Sequence, residues 1–119
     1  MRAAILLANF GRYEEATQML EQLRTQRPTS PEVHQLLGEI HVLRGQFDAA
    51  EQSLQTALSL AKTKQARSNA NLKLGEVYLN QQKPEAARER FQAAVQDSPQ
   101  MASLIEELRK AKGATGSAQ

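Results

Sequence analysis

TSPEVHQLLGEIHVLRGQFDAAEQSLQTALSLAK, Thr29 to Lys62, decides how the rest of this chain is read. Ser30 has a hydroxyl that can accept a hydrogen bond from an orphan helix N–H, and Pro31 suits the first helical position, where no N–H is needed. Apolar residues then fall at Val33, Leu36, Leu37, Ile40 and Leu43, spacings of three and four that belong to a helix and not to a strand. Gly45 ends that helix, because glycine tolerates the left-handed conformation at a C-terminus. A second helix starts near Phe47 and carries Phe47, Ala50, Leu54, Ala57 and Leu58 on one face. Gly38 and Ala50 are the two small residues of the pair. A helix surface with little or no side chain lets a neighbouring backbone approach closely, so these two positions predict a tightly nested antiparallel hairpin.

The pattern recurs. Gly11-Arg12-Tyr13-Glu14-Glu15-Ala16 matches Gly45-Gln46-Phe47-Asp48-Ala49-Ala50, so Ala16 and Ala50 stand 34 residues apart. Lys83-Pro84-Glu85-Ala86-Ala87 matches again, with Ala87 37 residues after Ala50, and Leu37-Gly38 returns as Leu74-Gly75. A helix–turn–helix unit of about 34 residues is the period of tetratricopeptide arrays. On these residues, with Tyr78, Phe91, Ala94 and Pro99 in the third copy, residues 1–99 resemble the tetratricopeptide repeat family. The expected fold is therefore all-α: a right-handed α-solenoid of three helix–turn–helix repeats, about 1–30, 31–64 and 65–99. A capping helix over 100–112 and a flexible tail over 113–119 complete the expectation.

Composition is compatible with that reading and narrows the chemistry. The chain has 119 residues, 15 basic against 13 acidic, so no strong pull towards nucleic acid or a membrane surface is implied. It has no cysteine, which excludes disulfides and thiolate metal sites but leaves the compartment open. No apolar run approaches the roughly 20 residues of a membrane-spanning helix. Arg2-Ala3-Ala4-Ile5-Leu6-Leu7-Ala8 is too short for a signal peptide, and Asn9-Phe10-Gly11 continues the repeat instead of offering a cleavage site; a cytoplasmic setting is the expectation.

Along the chain, the first helix should cover residues 2–10, with Ala4 in the place of Gly38. The turn that would lead into this repeat is missing, which fits either a chain that starts short or a segment excised from a longer protein. Helix two should run from Tyr13 to about Gln26 and stop before Pro28. Between Ala57 and Leu72 there is neither Gly nor Pro and the join is three residues longer than the repeat length predicts. Helix four is therefore expected to reach about Lys62, with a turn at 63–65 and helix five from near Ala66 to Asn80 or Gln81. Gln82 stands where the other repeats have Gly11 and Gly45. Helix six should run from Pro84 to Asp97. Ser98-Pro99-Gln100 repeats the start signal of Ser30-Pro31. A seventh helix should follow to about Lys112, stopped by Gly113, with Met101, Leu104, Ile105 and Leu108 on one face covering the last repeat. Ile5, Leu6 and Phe10 have no matching cover and are expected to be partly exposed.

A catalytic constellation is not found in the sequence. His34 and His41 are seven residues apart, roughly 10 Å along a helix, too far to share a metal, and they occupy positions where the resembled family packs an aromatic residue. Glu14-Glu15 and Glu106-Glu107 are adjacent pairs whose side chains diverge on a helix. The glycines are isolated helix stops and packing points, not a phosphate loop. The basic residues of the C-terminal third, Arg88, Arg90, Arg109, Lys110 and Lys112, alternate with acidic ones and form no basic stripe. The expectation is no enzyme, no cofactor and no metal.

The resemblance implies instead a protein–protein interaction scaffold, with the ligand lying against the first helices of the repeats. Matched residue by residue, that surface comprises Ile5 and Asn9; Glu32, Gln35, Glu39, Val42 and Leu43; and Asn69, Leu72, Glu76, Leu79 and Asn80. Members of the family that bind chaperones hold a C-terminal carboxylate in a clamp of Lys, Asn, Asn, Lys and Arg. The matching positions here are Met1, Ile5, Leu36, Asn69 and Lys73, of which only Lys73 agrees, so no clamp is expected. Asn and Gln amides can pair with a peptide backbone, aliphatic residues can seat apolar side chains, and the acidic bias implies a basic or amphipathic protein or peptide partner. Two other roles stay open: self-association through the N-terminal end, and a regulatory or targeting module of a larger protein.

Overall fold

The computed structural model describes residues 2–117, with side chains to residue 111. Among the described residues there are seven helices and no strand: α1 Arg2–Asn9, α2 Tyr13–Gln26, α3 Pro31–Leu43, α4 Phe47–Leu60, α5 Lys64–Asn80, α6 Pro84–Asp97 and α7 Met101–Ser117. They form two compact units, Met1–Lys62 with α1–α4 and Thr63–Gln119 with α5–α7.

One turn is used three times. In each hairpin a residue takes a left-handed backbone: Gly11 at φ +78°, Gly45 at +74° and Gln82 at +59°. The N–H of the following residue then reaches back five positions, Arg12 to the Leu7 carbonyl (2.9 Å), Gln46 to His41 (2.8 Å) and Lys83 to Tyr78 (2.8 Å). This Schellman arrangement satisfies helix carbonyls that would otherwise be orphaned. The next helix begins at once, with the Ala16, Ala50 and Ala87 N–H groups bonding the carbonyls of Arg12, Gln46 and Lys83 at 3.0–3.1 Å. The chain reverses because the backbone demands it at that point, and Gln82 accepts the conformation despite its Cβ.

In the first unit, Ala4, Ala16, Leu20, Val33, Leu37 and Ile40 form one buried cluster, with Leu7, Tyr13 and Leu36 packed against it. α3 and α4 nest through Gly38: a Cβ placed there would lie 2.6 Å from Leu54 Cγ. No real side chain is tolerated at that distance, so the absence of one is what lets Leu54, itself fully buried, sit against the α3 backbone. In the second unit the Phe91 ring takes the same place against Gly75, and Leu72, Ala87, Ala94 and Ile105 close the cluster around it. Polar pins support it. The buried Ser68 hydroxyl donates to the Ala94 carbonyl (2.8 Å), and Arg90 Nη1 donates to Asn71 Oδ1 (3.1 Å). Arg67 faces Asp97 at 3.4 Å.

Several boundaries differ from expectation for identifiable reasons. α4 stops at Leu60 and α5 starts at Lys64, two residues early at each side, because the Thr63 hydroxyl accepts the Ala66 N–H (3.0 Å) and caps α5. Ser30 precedes α3 but its side chain does not cap it, and Ser98 is the C-cap of α6, three residues before α7 begins. Their hydroxyls donate to Glu32 Oε2 (2.9 Å) and Gln100 Oε1 (3.0 Å), two residues on. α7 does not stop at Gly113 but remains helical to Ser117, since glycine in a helix costs about 1 kcal/mol and does not by itself break it. Residues 118 and 119 of the expected tail lie outside the described residues. On α7, Ile105 is buried and Met101 and Leu108 pack on the cluster, whereas Leu104 is 48% exposed. Ile5, Leu6 and Phe10 are exposed as expected, Phe10 by 81%.

Candidate functional site

α1 and α3 flank a cleft of about 110 Å³ whose floor is Leu20 of α2. α1 contributes Ala4, Ile5, Ala8 and Asn9, and α3 contributes Leu36, Glu39, Ile40 and Leu43. Helical periodicity produces this grouping: residues separated by three or four positions share a face, and each helix presents one such face to the gap. Ala4 and Ala8 keep the α1 wall shallow, so the space between the helices stays open. The lining is predominantly apolar, with an amide at Asn9 and a carboxylate at Glu39. Leu43, 60% exposed, and Ile5, 43% exposed, stand at the mouth.

Four of the residues singled out from the sequence, Ile5, Asn9, Glu39 and Leu43, are thus brought together. Glu32, Gln35 and Val42 lie on α3 but do not line the cleft; Glu32 accepts the Ser30 hydroxyl, and Gln35 and Val42 are half-buried. Ala4, Ala8, Leu20, Leu36 and Ile40 complete the lining and were not assigned to it from the sequence. Their spacing marked them as helix packing residues, and packing residues beside a gap look the same in sequence as packing residues beside a neighbour.

In the second unit the singled-out residues all lie on α5. Leu72 is a correction: it is 5% exposed and belongs to the core with Phe91 and Ile105. Its position matches the half-buried Gln35 of α3, but here α7 supplies Ile105, and an apolar residue at that point is covered. Leu79 also packs on that cluster. Asn69, Lys73, Glu76 and Asn80 are half-buried. Gln65 Nε2 donates to Asn69 Oδ1 (3.0 Å), Asn80 Nδ2 donates to the Glu76 carbonyl (3.0 Å), and Lys73 pairs with Glu76 at 3.8 Å.

The histidines pack as structural residues. His34 is 9% exposed with Nε2 3.1 Å from the Pro28 carbonyl, and His41 Nδ1 lies 2.9 Å from Gln46 Oε1, across the α3–α4 turn. Among the described residues no three His, Asp or Glu side chains converge as a metal site, and no helix is long and apolar enough to cross a membrane.

Comparison with known proteins assigns the fold. Two tetratricopeptide repeat family models match, over residues 6–68 and 44–102. The chain belongs to the tetratricopeptide repeat family, and its all-α fold class is that of the family, whose repeat is generally non-catalytic. Among solved structures, the crystal structure of MamA is similar over 98% of this chain and 66% of its own, with a TM-score of 0.79 and 22% identity. The first TPR of Spaghetti (RPAP3), bound to the HSP90 peptide SRMEEVD, is similar over 97% of this chain and 89% of its own, with a TM-score of 0.81 and 20% identity. The C-terminal part of a TPR repeat-containing protein from Cytophaga hutchinsonii matches 97% of this chain and 45% of its own, with a TM-score of 0.74 and 19% identity. This chain therefore spans just under two thirds of MamA and under half of the Cytophaga structure. No curated protein matches.

Proposed function

We propose that the chain is a non-catalytic interaction scaffold that binds a peptide or helical segment of a partner protein, seated in the cleft between α1 and α3. The observation that carries this reading is the cleft itself: apolar walls, a floor at Leu20, the Asn9 amide and the Glu39 carboxylate, with Ile5 and Leu43 exposed at its mouth. An apolar gap with one carboxylate suits an aliphatic side chain flanked by Lys or Arg, hence a basic or amphipathic segment. Val42 and Gln35 extend the same helix, and on α5 the residues Asn69, Glu76, Leu79 and Asn80 offer a further polar and aliphatic helix face. The peptide-bound Spaghetti structure supports a peptide or protein as the class of ligand. The specific peptide differs, because Ile5 and Leu36 stand where a carboxylate clamp needs amides.

The test is a comparative capture. The immobilised chain and its Glu39→Lys and Leu43→Asp variants are exposed to the same lysate, and bound proteins are quantified by mass spectrometry. The reading expects at least one protein enriched on the parent and depleted on both variants, with its binding segment basic and amphipathic. The same bound set on all three would overturn it.

A further inference from the structure

A second cleft lies in the other unit, between α6 and α7, with a volume of about 360 Å³. Its floor is Phe91, Val95 and Ile105, and its rim carries Arg88, Arg109 and Glu106. Phe91 and Ile105 are core residues, each 5% exposed, whereas the three rim residues are exposed. Among the described residues neither guanidinium has an ion-pair partner.

The repeat pattern explains why this face stays open. α2 and α6 end alike, Arg27 N–H bonding the Leu23 carbonyl and Ser98 N–H the Ala94 carbonyl, and the Ser30 and Met101 N–H groups then bond the Arg27 and Ser98 carbonyls, so α7 is in register with α3 at an offset of 71 residues. His34 then matches Ile105, and both are buried. Gly38 matches Arg109. In the first unit Gly38 is where Leu54 of α4 nests, and in the second Gly75 is where Phe91 of α6 nests. At the corresponding point α7 presents an exposed guanidinium. A further helix nested in the same way would bury that charge without a partner, which is strongly unfavourable. The α6–α7 face is therefore unsuited to another close-packed repeat helix, and its occupant must be compatible with charge at the rim.

We propose that the α6–α7 cleft is a second docking site, for an acidic amphipathic segment of a protein partner. The argument for the occupant is charge complementarity. An apolar side chain enters between Phe91, Val95 and Ile105, and carboxylates on either side of it meet Arg88 and Arg109, whose planar guanidinium forks match a carboxylate bidentately. Glu106 accepts from a donor of the segment and disfavours an occupant that is acidic throughout. The two clefts then select opposite charge, basic at Glu39 of the first unit and acidic here, so one chain can hold two different partners.

Fluorescence polarisation on the full chain tests this. The probe is a labelled synthetic peptide of about 12 residues, three helical turns, with leucines on one face flanked by glutamates; its counterpart has lysines in place of the glutamates. The glutamate peptide binds saturably, is weakened at least ~10-fold by Arg88→Glu with Arg109→Glu, and is unaffected by Glu39→Lys. The lysine peptide gains affinity for the Arg88→Glu/Arg109→Glu variant, which also shows that this variant is folded. Absence of saturable glutamate-peptide binding up to ~1 mM chain, or insensitivity to the arginine reversal, overturns the proposal. Loss on Glu39→Lys instead places the peptide in the first cleft and overturns it equally, without bearing on whether that cleft binds basic segments.

Discussion

Replacing Gly38 with Ala should destabilise this protein, although glycine in a helix interior is normally the weaker residue. Taken alone, the substitution gains about 1 kcal/mol of helix propensity. Against this stands the geometry: the new Cβ would lie 2.6 Å from Leu54 Cγ and 2.8 Å from Leu54 Cδ2. Leu54 has no exposed surface and cannot swing into solvent, so helix α4 must shift, and overpacking of this kind costs about 1–3 kcal/mol. The net expectation is a loss of about 1 kcal/mol. The sign should reverse once the obstruction is removed. Leu54→Ala alone leaves a cavity and costs about 3 kcal/mol; adding Gly38→Ala to that variant places a methyl group in the vacated space and should return about 1–2 kcal/mol. The coupling, about 2–3 kcal/mol, is at the upper end for residues in contact. Urea unfolding followed by far-UV circular dichroism, with midpoints compared at unchanged slope, measures all four variants. Gly38→Ala stabilising the parent, or equal effects in both backgrounds, would refute the close approach of α3 and α4.

Gln82→Gly should raise stability by about 0.5–1 kcal/mol, since Gln82 holds φ +59°, where a side chain is strained and glycine is not; the urea midpoint should rise, and the reciprocal Gly45→Gln should lower it. Ser68→Ala should cost about 1 kcal/mol through loss of its buried bond to the Ala94 carbonyl. The loss stays modest because that carbonyl also accepts the Ser98 N–H at 2.9 Å, and thermal unfolding reads it. With the second cleft disabled by Arg88→Glu and Arg109→Glu, the peptide SRMEEVD should show no saturable binding up to ~1 mM in calorimetry, because Ile5 and Leu36 replace the amides of a carboxylate clamp; micromolar binding to that variant would contradict the side-chain assignment of the first cleft.

The helices were legible in the sequence wherever a residue with a hard backbone constraint marked them. Gly11, Gly45, Pro31 and Pro84 set the turns and starts, and α2, α3 and α6 lie where those residues place them. The stretch 57–72 has no such marker, and there the boundary depended on the hydroxyl of one threonine, Thr63, whose capping role the periodicity does not encode. Ser30 shows the converse: a side chain suited to capping was diverted by a polar neighbour two residues on. For the site, repeat register located the helix face but not its cover. Leu72 and Gln35 share a register position, and only the arrival of Ile105 from α7 makes one of them core. The floor of the first cleft was hidden because Leu20 and Leu36 are apolar residues at packing positions, whether or not a gap lies beside them.

The most direct measurement of the central claim is a residue-resolved NMR footprint of the full chain with the basic segment identified by capture. The account predicts saturable amide shifts at Ile5, Asn9, Glu39 and Leu43, the two walls of one cleft, and their loss in Glu39→Lys. A footprint that leaves those four residues unmoved while the segment is bound would contradict it.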